Sequence, residues 1–276
     1  MLLRGKTLRN SITLTGVGIH NGIRNKITIH PSEERGIYFL IKGIKIPALH
    51  EYVVNTCYST DLGRENQIVR TVEHIMAAFY LLKIDSAVVE IVEGNEIPIL
   101  GGGAKEFIEA FLSVGTVELE HYQKIFRLAE HKRYQPNGNF AEALPFEKEV
   151  FIYEGIFRYL GRQLAVYEGG LESKLIGART FCFEEDIPNL RKMNLGKGGY
   201  HVNTLVINPS GEYLRYREEP TYHKLLDLIG DMALLGGRLQ MIIYSFKGGH
   251  STNHGLRQLI KNLLIEVKAN KLPALV

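Results

Sequence analysis

Apolar and polar positions follow two rhythms along the chain, one with a period of two and one close to 3.6. The short period falls at residues 6–14, 26–30 and 86–92 and predicts strands. Glycine- and proline-bearing stretches at 16–22 and 31–36 punctuate them as turns. Residues 67–82 carry apolar positions at helical spacing, and Gly101-Gly-Gly103 leads into a further helix over 105–112. The polar stretch 115–122 reads as a linker. The second half repeats the plan. Strand-like runs at 123–128, 149–153 and 163–167 precede a helix around 222–235, a strand at 239–244 and a final helix at 256–267. This order argues for an α+β fold rather than alternating βαβ units. It predicts domains at 1–117 and 122–276. Residues 184–219 break the symmetry as an insert, with a short helix at 185–193, a glycine-rich turn at 196–199 and a strand at 204–208. No residue-level repeat is visible, so a duplication rests on element order alone.

The helix at 222–235 also carries chemistry. Leu225, Leu226, Leu228, Ile229, Met232, Leu234 and Leu235 form its buried stripe. His223 and Asp227 lie on one face, one turn apart, and Asp231 lies one turn further on. Such a pair is either an ordinary ion pair or two ligands of one divalent ion. A third ligand from elsewhere would leave one position open, as in catalytic zinc sites. In the helix at 67–82, Glu73 and His74 point about 100° apart, which disfavours twin ligation. One can bind a metal while the other acts as a base on water, or the pair is a surface glutamate beside a buried histidine. The run Tyr244-Ser-Phe-Lys-Gly-Gly-His250 ends a β-leaning stretch on a loop. His250 there suits a general acid, and read alone it is a solvated histidine in a turn.

Composition narrows the field. The 276 residues are 45% hydrophobic, enough for two ordinary domains or one large one. A net charge of +3, evenly spread, argues against nucleic acid and is compatible with an anionic substrate. No uncharged run reaches membrane-spanning length. The basic N-terminus lacks the apolar region of a signal peptide. Cys57 and Cys182 fit a reducing compartment better than a disulfide scaffold. A cytoplasmic protein is expected.

Several motifs occur together and in order. Thr71-Val-Glu-His74, His223-Lys-x-x-Asp227-x-x-Gly-Asp231 and Gly249-His250-x-x-Asn253 are joined by Gly16-Val-Gly-Ile-His20, Ser59-Thr-Asp-Leu-Gly63, Asn95-Glu-Ile-Pro-Ile-Leu100, Leu160-Gly-Arg-Gln163, Ala178-Arg-Thr-Phe-Cys-Phe183 and Leu195-Gly-Lys-Gly-Gly199. Over nearly its whole length the chain resembles the zinc-dependent UDP-3-O-acyl-N-acetylglucosamine deacetylases of lipid A biosynthesis. The resemblance implies two similar domains whose sheets sandwich their helices, with the metal in the cleft between domains. It implies zinc, or iron(II) in the cell, on His74, His223 and Asp227, with Glu73 as general base. His250 would be the general acid or a cation for the oxyanion, oriented by Asp231, and Thr180 a hydroxyl donor to the oxyanion. Lys224 would meet the diphosphate, and Phe181, Phe183, Leu62, Gly198 and Lys247 would make further substrate contacts. The insert would help form an apolar passage for the acyl chain, and the protein would act as a monomer on a UDP-linked acylated amino sugar. Two other readings stay open: a deacetylase of another N-acetyl sugar nucleotide, and a catalytically weak paralogue that binds a UDP-sugar.

The chain also departs from that pattern. Gly101-Gly-Gly103 stands where relatives carry Asp-Gly-Ser, Thr221-Tyr222 precedes His223 where an Arg is usual, and Tyr213 stands for a Gly. If the missing Asp supports a ligand histidine, metal affinity or activity should fall roughly 10 to 100-fold.

Overall fold

The computed structural model describes residues 3–267, so the outer ends of the two expected domains, 1–2 and 268–276, lie outside the described residues. Two five-stranded sheets dominate. In spatial order the first comprises Ile12–Val17, Arg24–Pro31, Ser86–Glu93, Gly36–Ile41 and Ile44–Pro47. The second comprises Lys132–Tyr134, Phe140–Pro145, Met241–Phe246, Val150–Phe157 and Gly161–Tyr167. Each is two antiparallel hairpins flanking a central strand that comes last in the chain. That strand pairs antiparallel with one hairpin and parallel with the other. The element order repeated in the sequence is thus the same strand order built twice.

Side-chain alternation explains the layering. In Arg24–Pro31, Ile27 and Ile29 are buried while Lys26, Thr28 and His30 face outward. Between the sheets lie α1 (Glu73–Leu81), α2 (Lys105–Val114), α5 (Glu219–Ala233) and α6 (His250–Ile260), while α3 (Ser173–Ile176) and α4 (Ile187–Lys192) are short excursions. All nine residues of α1 are buried, as expected of a helix packed on every side. One continuous core joins Ile29 and Phe39 of the first sheet, Phe79, Phe111 and Leu228 of the helices, and Ala143 and Phe151 of the second sheet. The fold is α+β, with helices between two sheets.

Gly230 sets how closely α1 and α5 approach. A Cβ at Gly230 would lie 2.0 Å from the Glu73 carbonyl oxygen, so only glycine lets the two backbones touch. Gly230→Ala is expected to force them apart, lowering thermal stability and metal content together. Unchanged metal stoichiometry in the variant would show that the crossing does not set the site.

The structure corrects several boundaries. Most of the stretch read as a linker is the strand Thr116–Tyr122, paired antiparallel with Arg4–Leu8. The helix expected from residue 67 begins at Glu73; Gln67–Val69 is a strand, and Thr71 has φ 59°, a left-handed conformation that ends it. The last helix starts at His250 and ends at Ile260, short of the expected 267. His250 therefore opens a helix and is not held by a loop. The insert follows its predicted pattern with α4 and the strand Thr204–Ile207. Buried Arg179 pins it: the guanidinium donates to Glu219 Oε1 at 2.8 Å and Oε2 at 3.0 Å, and to the Tyr213 carbonyl at 2.6 Å.

Candidate metal centre

The contact at Gly230 brings the N-terminal turn of α1 against α5. There one ligand atom each from His74, His223 and Asp227 lie within 4.8 Å of one another, all three residues buried. Asp227 Oδ1 is 3.4 Å from His74 Nε2 and 3.3 Å from His223 Nε2, and the two rings stand nearly perpendicular at 83°. His223 Nδ1 donates to the Ala178 carbonyl at 3.1 Å, so the lone pair of Nε2 faces the cluster. Burial pushes the His223 pKa down to about 3 despite the attraction of Asp227, so the ring is neutral, the form that binds metal. Burial opposes ionisation of Asp227, but His223 and Lys224 hold its carboxyl well below the usual range. Lys224 Nζ donates to Oδ2 at 2.7 Å, and Oδ1 is buried without any hydrogen-bond donor. A desolvated carboxylate oxygen facing two imidazole nitrogens is costly unless a cation lies between them. The donor set fits a divalent ion.

Glu73 and His250 border this cluster. Glu73 Oε2 accepts the Thr60 N–H at 3.0 Å, and Oε1 lies 3.8 Å from His250 Nε2. Burial pushes the Glu73 pKa up to about 7, against the pull of His250 and His74. Burial would lower the His250 pKa, but Asp231 and Glu73 raise it to about 9. His250 Nδ1 donates to Asp231 Oδ2 at 2.9 Å, and the same oxygen accepts Asn253 Nδ2 at 2.8 Å. Thr60 Oγ1 donates to Asp231 Oδ1 at 2.5 Å. Thr60 thus reaches both acids, one through its backbone and one through its hydroxyl. At the entry to α1, Thr71 donates its N–H to Asp61 Oδ1 at 3.1 Å and its hydroxyl to Glu96 Oε1 at 3.2 Å, which holds its unusual backbone conformation.

The other expected residues divide. Thr180 opens the strand Thr180–Phe183 and donates its N–H to the Gly102 carbonyl at 2.7 Å. Phe181 stands edge-on to His223 at 6.1 Å between ring centroids, and Phe183 stands edge-on to Phe181 at 6.2 Å. Lys224, expected to face a diphosphate, is turned onto Asp227, although it also lines a cavity of about 380 Å³ with Tyr58, Asn137, Asn139, His250 and Thr252. Lys247 is exposed, three residues before His250. Leu62 and Gly198 are not brought to an open surface: Leu62 is fully buried in the core, and Gly198 is buried with its N–H on the Ile19 carbonyl at 3.0 Å.

The triple glycine has a positive role that was not foreseen. Gly102 adopts φ 94°, and a Cβ there would lie 1.9 Å from the Asn203 carbonyl oxygen. The loop packs backbone to backbone on the segment that carries the Ala178 carbonyl and Thr180. Thr60, the Ala178 carbonyl and Gly230 were also missed as parts of the site. A glycine inside a strongly apolar helix pattern was the available signal for Gly230.

A buried His–His–Asp cluster flanked by a carboxylate and an imidazole, at the meeting of two like halves, defines a metal-dependent hydrolase. The family model described as LpxC, UDP-3-O-acyl N-acetylglycosamine deacetylase, matches residues 5–264, and the chain belongs to this family. It is 42% identical to the UDP-3-O-acyl-N-acetylglucosamine deacetylase of Aquifex aeolicus (strain VF5), over 96% of this chain and 95% of the relative. Proteins of the same name from Nitratidesulfovibrio vulgaris and Nautilia profundicola are 35% and 32% identical, over 97% and 96% of this chain and 91% and 94% of theirs. Among the described residues no helix is long and apolar enough to cross a membrane.

Proposed function

We propose that this chain is a metal-dependent amide hydrolase that removes the N-acetyl group of a UDP-3-O-acyl-N-acetylglucosamine. The observation that carries the reading is the bare, buried Asp227 Oδ1 facing the Nε2 atoms of His74 and His223. These three residues would hold the ion, which is zinc or iron(II), since two imidazoles and a carboxylate suit either. When bound, the ion supplies Lewis acidity towards the amide carbonyl and the attacking water.

The chain's own groups do the rest. Glu73, fixed through Oε2 by Thr60, keeps Oε1 to take the proton of the attacking water. His250 gives its Nε2 proton to the departing amine, while Asp231 holds Nδ1 and so fixes the direction of Nε2. The Thr180 hydroxyl is the donor proposed for the developing oxyanion. The cavity beside Lys224 and His250 takes the anionic part of the substrate, with Lys247 at its approach, and Phe181 with Phe183 offers apolar surface to the acyl chain.

The direct test is a deacetylation assay on UDP-3-O-acyl-N-acetylglucosamine and on sugar nucleotides lacking the acyl chain, with metal analysis of the same sample. Turnover that needs both the ion and the 3-O-acyl group supports the reading. Equal turnover of the unacylated compounds would reassign the substrate, and metal-independent turnover would reject the mechanism.

The rate should be bell-shaped in pH. Glu73 must be ionised, so activity falls as pH drops through its raised pKa; His250 must be protonated, so activity falls as pH rises through its raised pKa. A bound cation moves both limbs to lower pH. Asp231→Asn removes a charge that raises the His250 pKa, so the alkaline limb should shift down while the acid limb stays nearly fixed. An unmoved alkaline limb would remove Asp231 from this role.

A further inference from the structure

Arg257 is a fully buried arginine, and nothing in the proposed chemistry uses it. It lies on α6 two turns beyond His250. His250, Asn253, His254 and Arg257 follow the i, i+3, i+4, i+7 spacing of one helix face, and His250, Asn253 and Arg257 all reach Asp231 of α5. Arg257 Nη1 donates to the Asp231 backbone carbonyl and lies 3.7 Å from its Oδ1. That carbonyl is in the last turn of α5, where it also accepts the Leu234 N–H at 3.3 Å, so Arg257 adds a second donor at the helix end. On its other side Arg257 Nη2 donates to His254 Nδ1 at 3.2 Å, and the His254 ring stacks on buried His50, with 5.0 Å between centroids. The guanidinium is therefore clamped between an imidazole pair and one aspartate. A buried cation is costly to desolvate unless paired, and Asp231 is the one anion in contact with it among the described residues.

We infer that Arg257 is a positioning residue: it holds the Asp231 carbonyl by a hydrogen bond and its carboxylate by charge, and through Asp231 it aims His250 at the reaction centre. Thr60 and Asn253 already satisfy the Asp231 carboxylate as hydrogen-bond donors. What Arg257 adds is a hold on the backbone of Asp231 and a charge that keeps α6 seated against the end of α5. Because a guanidinium is a rigid fork, lysine can replace its charge but not its two-sided grip.

The inference rests on His250 acting as the proton donor. The experiment compares Arg257→Met, Arg257→Lys, Asp231→Asn, His250→Ala and the Arg257→Met/Asp231→Asn pair, all metal-loaded, for kcat, KM, bound metal and melting temperature. Arg257→Met should lower kcat about 10-fold or more, the effect of misplacing a proton-transfer group. KM should stay within about twofold and metal should remain stoichiometric, because the substrate and metal contacts are untouched. Arg257→Lys should recover part of that loss. In the Asp231→Asn background, Arg257→Met should cost about twofold or less, since the path from Arg257 to His250 is already cut. Wild-type kcat in folded Arg257→Met would overturn the inference, as would the same fold-loss in both backgrounds, or a lower melting temperature with kcat per bound metal unchanged. If Arg257→Met does not fold, Arg257→Lys decides: unchanged kcat overturns the inference and a kcat loss at constant KM supports it. If His250→Ala itself leaves the rate intact, the proton-donor assignment fails first.

Discussion

Asp227→Ala should empty the site of metal and abolish turnover, more severely than His74→Ala or His223→Ala. Asp227 is the only anion of the three ligands proposed, and Lys224 Nζ sits 2.7 Å from its Oδ2. Removing the carboxylate takes away a ligand and also leaves a half-buried ammonium facing the place a cation must occupy. Asp227→Asn keeps the shape and loses the charge, so it should fall between. Loss of the ion removes several kcal/mol of transition-state stabilisation, about 10³-fold or more in rate. Elemental analysis and kcat on the same samples check the pairing of the two losses. Stoichiometric metal retained in all three alanine variants would end the ligand assignment.

Glu73→Gln should give the opposite pattern, full metal with turnover lower by at least about 10²-fold, the usual worth of a positioned base. Glutamine is nearly isosteric, and its amide oxygen can still accept the Thr60 N–H, so the start of α1 should keep its place. It cannot take a proton. A variant that loses its ion but turns over normally once reloaded would make Glu73 a ligand and leave the base unassigned.

The sequence was most informative where spacing within one element decides geometry. The one-turn spacing of His223 and Asp227 and the helix angle between Glu73 and His74 marked four candidate residues in two short segments, while their division into ligands and base came from the family resemblance. The strand–helix order of the two halves was legible for the same local reason. Tertiary facts were not. That Gly230 marks a backbone contact, that the Ala178 carbonyl sets the His223 tautomer, and that Thr60 joins Glu73 to Asp231 depend on segments far apart in the chain. Thr116–Tyr122 was misread because its charges suggested solvent, although alternate side chains of an edge strand can be polar and its partner Arg4–Leu8 lies over 100 residues away. His250 was placed on a loop because the double glycine hid the start of a helix that has no side-chain cap.

The late arrival of the central strand in each sheet has a consequence for biosynthesis. Until residues 86–93 emerge from the ribosome, the two N-terminal hairpins have no shared partner, and the same holds for the C-terminal hairpins until residues 241–246 follow. Each pair waits with unpaired inner edges, the kind of edge that recruits other chains. A nascent chain stalled near residue 240 would hold His74, His223 and Asp227 but have one sheet open down its middle. His250 follows the closing strand by four residues, so the proton donor proposed above is delivered only as that gap is zipped shut. Partial synthesis is then expected to yield aggregation-prone fragments and not a half-active enzyme.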